Sequence, residues 1–163
     1  SSQTGMSSTI YYILIYMFTN LAAFGIISAI ENKTGKVGMD DYNGLYSTNP
    51  KLAFAMTLAM FSLGGIPPFA GFFSKFFIFA AVAEQGDYLL VFLALLNTII
   101  SLYYYLLVVK AMFSNKSDSP IETFKIDMMS RVALLVCVVA ILVIGFISSI
   151  YMNIYEISFG FAN

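Results

Sequence analysis

The sequence predicts an all-α protein, a polytopic transmembrane helical bundle of about five spans. Two observations support this fold class. Hydrophobic residues make up 60% of the 163 residues and the mean hydropathy is +0.84, so too little polar surface remains to coat a soluble globule of this size. Charged residues make up only 10% and cluster between long apolar runs, as expected when the runs lie in hydrocarbon and their connections lie in water.

The composition also argues against several kinds of partner and cofactor. A net charge of -1 gives no electrostatic basis for binding nucleic acid. The chain has no histidine, and histidine is the commonest ligand of haem, zinc and copper sites, so we expect neither a metal site nor a cofactor here. The single cysteine, Cys137, lies within an apolar run and is interpreted as a small, inert residue.

Five apolar runs follow one another, at about 8–30, 52–66, 69–83, 88–113 and 132–155. Each is near the ~17–25 residues that a helix needs to cross a hydrocarbon core of ~30 Å, although the second and third are short. The segment GGIPP between these two contains Gly65, Pro67 and Pro68, and proline both lacks an N–H donor and keeps the preceding residue out of a helix. We therefore predict a tight helical hairpin at 64–68 within a single membrane domain, 1–163. The alternative is one span followed by a re-entrant segment.

Polar loops connect the predicted spans. Two are long, residues 31–51 and 114–131, and the short segment EQGD at 84–87 closes a second hairpin. Five spans place the two long loops on opposite sides of the membrane. Their lysine and arginine content favours the cytoplasmic side for 114–131 only slightly, so the orientation stays open.

Lys75 is the candidate functional residue because it stands among phenylalanines in a predicted span. It follows Pro68 by seven residues, which places it roughly 10 Å inside the membrane if the turn lies at the interface. A cation at such depth costs at least ~2.5–3.5 kcal/mol on insertion scales, so it usually faces a protein interior or a wet cavity. Burial favours the neutral form of an amine, and a lysine that gains and loses a proton can act as a proton relay. The alternative is a lysine that snorkels to the interface.

Other polar or small residues could support such a relay. One group lies beside the lysine, a second recurs at intervals of four residues on the first span, and a third lies at mid-depth on the fourth span. For the second and third groups, the alternative is interhelical hydrogen bonding, worth about 0.6–2 kcal/mol per contact. The tyrosines at 103–105 are interpreted as an interfacial belt or as packing. The three groups are Gly71 and Ser74; Tyr12, Tyr16 and Asn20; and Asn97, Thr98 and Ser101.

Three segments carry a resemblance to a known family: LGGIPPFAGFFSKFFIF, NPKLAFAMTLAMFSL before it, and LALLNTIISLYYYLLVVKAMF after it. They resemble the antiporter-like membrane subunits of proton-pumping NADH:quinone oxidoreductase, respiratory complex I, and among them subunit N. The GIPP…GFFSKF core is the most specific part. Such subunits contain two inverted five-helix repeats followed by further helices, and the resemblance implies that this chain is a C-terminal portion.

The resemblance also implies a function. Lys75 matches a lysine that related subunits carry near a break in a discontinuous helix, and Gly65, Pro67, Pro68 and Gly71 mark that region. NADH and quinone would react on other subunits, so this chain would carry protons without a redox site of its own. The expected partners are other membrane subunits, the lipid bilayer and protons, and the expected location is the bacterial inner membrane.

The sequence leaves alternative functions open. A subunit of a sodium/proton antiporter or of a membrane-bound hydrogenase would use the same lysine with a different partner complex. A membrane scaffold subunit would use it as a buried structural cation that moves no ion. A free-standing secondary transporter is disfavoured by the resemblance and by the start of the sequence, which lacks Met and suggests a longer chain.

Overall fold

The computed structural model describes the backbone of residues 3–159 and the side chains of residues 6–148. All regular secondary structure in this part of the chain is helical, which confirms the predicted fold class. A short 3-10 helix (Met39–Tyr42) precedes α2. The α-helices are α1 (Gln3–Thr34), α2 (Leu45–Thr48), α3 (Pro50–Gly64), α4 (Ala70–Ala83), α5 (Tyr88–Ser114) and α6 (Met128–Phe159). A single membrane domain over 1–163 stays a prediction, since residues 1–2 and 160–163 lie outside the described residues.

The apolar helices fall into two length classes. Three segments are long and apolar enough to cross a membrane, judged by length and composition: Met6–Thr34, Tyr88–Ser114 and Met128–Ser148. Helices α3 and α4 have only 15 and 14 residues, about 22 and 21 Å at 1.5 Å per residue. Neither is long enough alone for a hydrocarbon core of ~30 Å, but the two in succession are.

Helices α3 and α4 run in the same direction along α1. At the end of α3, Ser62 Oγ lies 3.1 Å from Thr19 Oγ1 of α1. Further along the chain, the ring of Phe77 in α4 contacts that of Tyr11, with centroids 5.7 Å apart. As the residue number rises from α3 to α4, the contacted position on α1 falls, so both short helices are antiparallel to α1.

The predicted hairpin at 64–68 is therefore wrong. The two short helices are the halves of one discontinuous helix, which confirms that part of the predicted fold class. The predicted interfacial turn is a break level with the middle of α1, where Ser62 contacts Thr19. Glycine and proline end a helix because of their backbone chemistry, but they do not dictate the direction in which the next helix continues.

Helices α5 and α6 complete the bundle around the break. A Cβ at Gly64 would lie 2.8 Å from Leu102 Cδ1 of α5, and one at Gly145 of α6 would lie 2.5 Å from the carbonyl oxygen of Pro68. Both glycines thus allow a close approach to the break region. The main cluster of buried apolar side chains lies on the α2 side of this region and includes Ala22, Ile26 and Ile30 of α1, Ala53, Met56 and Ala59 of α3, and Ile141 of α6.

The two long loops meet at one end of the bundle. Lys36 Nζ donates to the Ser119 carbonyl oxygen at 2.5 Å, and Asn115 Nδ2 donates to Asn43 Oδ1 at 2.9 Å. Asn49 Nδ2 donates to the Glu122 carbonyl oxygen at 3.1 Å. The prediction that these loops lie on opposite sides of the membrane is wrong, because α3 and α4 together make one crossing rather than two.

Asp127 marks the start of α6 at the same end. Its Oδ2 accepts a hydrogen bond of 2.9 Å from the backbone N–H of Ser130, as expected of an aspartate that precedes a helix. This hydrogen bond holds the pKa of the exposed Asp127 carboxyl below its usual value.

The loop contacts predict the outcome of a topology experiment. Single cysteines introduced as Asn43→Cys and Ser117→Cys, in a Cys137→Ala background, should react with a membrane-impermeant maleimide from the same side. Glu84→Cys, at the other end of the bundle, should react from the opposite side. Labelling of positions 43 and 117 from opposite faces would contradict the single discontinuous crossing.

Candidate functional site

The helix break begins where Gly65 ends α3. Gly65 adopts the left-handed conformation, with φ of +75°. Its N–H donates to the Ser62 carbonyl and that of Ile66 donates to the Phe61 carbonyl, both at 3.0 Å. These two bonds form the Schellman motif, a common end of helices. In a continued helix the Leu63 carbonyl would accept from residue 67, but Pro67 has no N–H.

Lys75 supplies the partner that Leu63 lacks. Its Nζ donates to the Leu63 carbonyl oxygen at 2.8 Å, so a side chain of α4 reaches back to the last turn of α3. The carbonyl end of a helix carries partial negative charge, which favours a cation at this position. Gly65 leaves room for the lysine, because a Cβ there would lie 3.3 Å from Lys75 Cδ.

Ser62 makes the converse contact from α3 to α4. Its Oγ accepts a hydrogen bond of 3.2 Å from the Gly71 N–H in the first turn of α4. A Cβ at Gly71 would overlap the Ser62 carbonyl oxygen, so glycine is required for this approach. Ser74 Oγ donates to the Gly71 carbonyl at 3.0 Å. Small residues such as Gly71 and Ser74 occur where membrane helices unwind or pack closely. Here both lie inside α4, after the break, and Gly71 packs closely against Ser62.

A cavity of about 270 Å³ adjoins the break. Its lining comes from α1, α3, α4 and α5, and its polar groups include hydroxyl, amide and ammonium groups. By the share of liquid volume that a water molecule takes, about 30 Å³, this space has room for several waters. Among the described residues, the lining consists of Tyr12, Ile15, Tyr16, Thr19, Ser62, Leu63, Gly71, Ser74, Lys75, Asn97, Thr98, Ser101 and Tyr105, with no carboxylate.

Most of the predicted supporting residues share this cavity with Lys75. They are Tyr12, Tyr16, Ser74, Asn97 and Ser101. Asn20 does not line it, and its Nδ2 instead donates to the Tyr16 carbonyl at 2.7 Å on its own helix. The reason is helical rotation at 100° per residue: Asn20 lies about 80° from the direction of Tyr12, whereas Thr19 lies only about 20° from it.

Sequence reasoning missed four contributors to the site. Thr19 and Ser62 are buried hydroxyl residues, and Tyr105 lines the cavity although it was assigned to a belt or to packing. The fourth is the carbonyl of Leu63. A seven-residue interval from Tyr12 would have indicated Thr19, and the missing donor of Pro67 would have indicated an unsatisfied carbonyl at Leu63. No comparable signal marks Ser62.

The arrangement can hold and exchange protons. Lys75 contacts a neutral carbonyl, while the tyrosine hydroxyls and the Asn97 amide lie around the same space. Such groups order water and donate or accept hydrogen bonds. Within the described residues, no group of three or more cysteine, aspartate or glutamate side chains is placed to hold a metal ion.

The fold and the site define a class of protein: a helical membrane protein with a broken helix and an amine at the break. Residues 1–101 match the family model described as NADH:quinone oxidoreductase/Mrp antiporter, transmembrane region. The chain belongs to this family, as the resemblance in its sequence predicted. It is an integral membrane protein, and its bacterial relatives place it in the bacterial inner membrane.

Individual relatives agree with this assignment. The chain is 60% identical over 158 residues to NADH-quinone oxidoreductase subunit N of Azobacteroides pseudotrichonymphae genomovar. CFP2, covering 96% of this chain and 33% of that protein. It is 60% identical over 147 residues to the subunit N of Phocaeicola vulgatus, covering 90% of this chain and 31% of that protein. The chain therefore spans about a third of the length of these relatives.

A solved structure is also similar. It is respiratory complex I from Thermus thermophilus with bound aureothin, in which one chain superposes with a TM-score of 0.72 at 33% identity. The similarity covers 83% of this chain and 31% of that chain.

The contact between Gly65 and Lys75 predicts a difference between two glycine substitutions. Gly65→Ala and Gly86→Ala both place a Cβ at positive φ, but a Cβ at Gly86 would meet nothing within 4 Å. Both should lose about 1–2 kcal/mol of stability from the left-handed conformation, and Gly65→Ala should lose more because it also displaces Lys75. Thermal unfolding of the intact protein in mild detergent measures the difference. Equal losses would contradict a specific contact at the break.

Proposed function

We propose that this chain is the C-terminal portion of subunit N of a proton-pumping NADH:quinone oxidoreductase, and that Lys75 carries protons through it. Family membership and the two subunit N relatives support the assignment to that complex. The observation that carries the role of Lys75 is the hydrogen bond from its Nζ to a backbone carbonyl, beside a polar cavity that α1, α3, α4 and α5 line.

The surroundings of Lys75 suit a group that gains and loses protons. A lysine in an ion pair with a buried carboxylate is held in its charged form. Lys75 bonds a carbonyl, and no carboxylate lines its cavity among the described residues. The Lys75 side chain reaches Leu63, and the neighbouring Ser62 contacts Thr19 in the middle of α1. The side chain is therefore directed toward the middle of the bundle, which disfavours snorkelling to the interface.

The proposed transport needs no redox chemistry in this chain. NADH oxidation and quinone reduction occur on other subunits, and their energy reaches Lys75 as a change in neighbouring charge and in cavity hydration. The lysine loads a proton from one side of the membrane and releases it toward the other. The hydroxyls of Tyr12, Tyr16 and Tyr105, with water, provide the adjacent hydrogen-bonding path. The partners are the other membrane subunits and the bilayer.

Substitution of Lys75 tests this proposal. Lys75→Met keeps the bulk of the side chain but removes the exchangeable proton, so NADH-driven acidification of inverted vesicles should fall by roughly tenfold or more. Lys75→Arg keeps a cation that can donate to Leu63 but cannot release its proton at accessible pH. It should restore assembly, measured by native gel electrophoresis, without restoring pumping. Full pumping by the Met variant would refute the proton carrier, and failed assembly of both variants would favour a structural cation.

Two asparagine substitutions distinguish a role of the cavity in pumping from a general effect of polar residues on these helices. Asn97 lines the cavity and Asn20 does not, although both lie on apolar helices. Asn97→Leu should slow proton pumping several-fold because it removes an amide that orders water. Asn20→Leu is the matched control and should pump near the parental rate. Equal effects of the two substitutions on pumping would mean that the cavity is not part of the path.

A sodium/proton antiporter subunit is the second candidate function, because the matching family model also includes Mrp antiporters. Purification of the intact protein in mild detergent separates the two. Co-purification with NADH-oxidising subunits supports the oxidoreductase, whereas sodium-dependent proton exchange without NADH oxidation supports the antiporter.

A further inference from the structure

Ser62 is the residue in which three elements of the bundle meet. It belongs to the last turn of α3, its Oγ accepts from the Gly71 N–H of α4, and it lies 3.1 Å from Thr19 Oγ1 of α1. Its exposed fraction is only 1%. We propose that Ser62 is a positioning residue that sets the register of the two half-helices and thereby holds Lys75 against Leu63. This inference rests on the proposed role of Lys75.

The hydrogen bonds of Ser62 have a defined direction. Thr19 has one hydroxyl proton, and it donates that proton to the Ile15 carbonyl at 2.7 Å. The contact between Thr19 Oγ1 and Ser62 Oγ therefore requires the Ser62 proton. Since the Gly71 N–H donates to the same oxygen, Ser62 accepts from α4 and donates to α1.

These contacts place two hydrogen bonds side by side across the break. Ser62 and Leu63 are consecutive residues of α3, and Gly71 and Lys75 lie about one helical turn apart on α4. The Gly71 N–H donates to Ser62 Oγ at 3.2 Å, and Lys75 Nζ donates to the Leu63 carbonyl at 2.8 Å. A shift of α4 against α3 would lengthen both hydrogen bonds. The bond between Ser62 and Gly71 therefore restrains the position of Lys75.

The same proton inventory separates Ser62 from the proton path. Ser62 donates its one hydroxyl proton to Thr19. Its oxygen already accepts a hydrogen bond from the Gly71 backbone N–H, which is a donor only. The titratable groups that share the cavity with Lys75 are Tyr12 and Tyr16 of α1 and Tyr105 of α5; within the described residues, α3 and α6 contribute none. Ser62 acts on proton transfer through the geometry of Lys75.

The test compares Ser62→Ala with Thr57→Val in the intact complex. Thr57 also lies on α3 and is buried, but its hydroxyl bonds only the Ala53 carbonyl of its own helix, at 2.8 Å. Proton pumping in sealed vesicles is measured across pH and normalised to assembled complex. Ser62→Ala should pump several-fold less per assembled complex, because α4 loses a hydrogen bond that positions it against α3, and its pH midpoint should move. Thr57→Val should keep the parental rate and midpoint.

The outcomes separate the possible roles. If Ser62→Ala lowers pumping only in proportion to assembled complex and keeps the parental pH midpoint, Ser62 is merely structural and the inference is wrong. If Lys75→Met retains pumping, the proposed function itself fails, and this inference fails with it. If Lys75→Met loses pumping while Ser62→Ala matches Thr57→Val, only the inference fails.

Thr19 provides a second route if Ser62→Ala does not assemble. Thr19→Ser keeps the hydroxyl that accepts from Ser62, whereas Thr19→Val removes it with little change in shape. The valine variant should shift the pH midpoint of pumping, and the serine variant should retain the parental midpoint. Identical midpoints in both Thr19 variants would overturn the inference.

Discussion

A helix break inside a membrane leaves backbone groups that bulk water does not reach, and the need to satisfy them is the constraint on which this structure depends. Each half of the broken helix supplies a partner for the other. Lys75 of α4 donates to the Leu63 carbonyl of α3, and Ser62 of α3 accepts the Gly71 N–H of α4. The break is therefore an ordered element with a hydrogen-bonding pattern of its own.

This reciprocal arrangement gives a physical reason for a cation among phenylalanines. The end of α3 presents carbonyl groups with partial negative charge, and Pro67 supplies no N–H to Leu63. A purely structural cation would meet that need equally well. The cavity of about 270 Å³ beside Lys75, lined by hydroxyl and amide groups, favours a role in proton transfer, because a structural cap needs no polar space around it.

Close packing around the break depends on the absence of side chains at three positions. Gly64 admits Leu102 of α5, Gly71 admits the Ser62 carbonyl, and Gly145 of α6 admits the backbone at Pro68. Small residues at helix contacts allow backbones to approach closely in membrane proteins. Because α1, α5 and α6 all pack against the broken helix, the hydroxyl groups of Ser62 and Ser74 next to the break are buried, and membranes tolerate irregular backbone where protein or a wet cavity surrounds it.

Composition, apolar run lengths and the GGIPP segment were enough to predict the membrane class, the approximate helices and the place where the helix is interrupted, and they marked Lys75 as the candidate functional residue. These features follow from local chemistry: apolar area decides what enters hydrocarbon, and glycine and proline decide where a helix ends. The family resemblance added the discontinuous helix and the expected function. Most of the predicted cavity residues also lie together, because residues four apart on a helix share a face.

The residues themselves favoured a reversal of the chain at Pro68, and the tertiary structure decided that the chain continues across the membrane there and that the two long loops share one end. It also decided that Thr19, rather than Asn20, faces the break. The direction of α4 depends on its contacts with α1 and α6, such as that between Phe77 and Tyr11, and the face of α1 that meets α3 depends on the rotation between two packed helices. A sequence specifies local backbone preferences, whereas these outcomes depend on contacts between residues far apart in the chain.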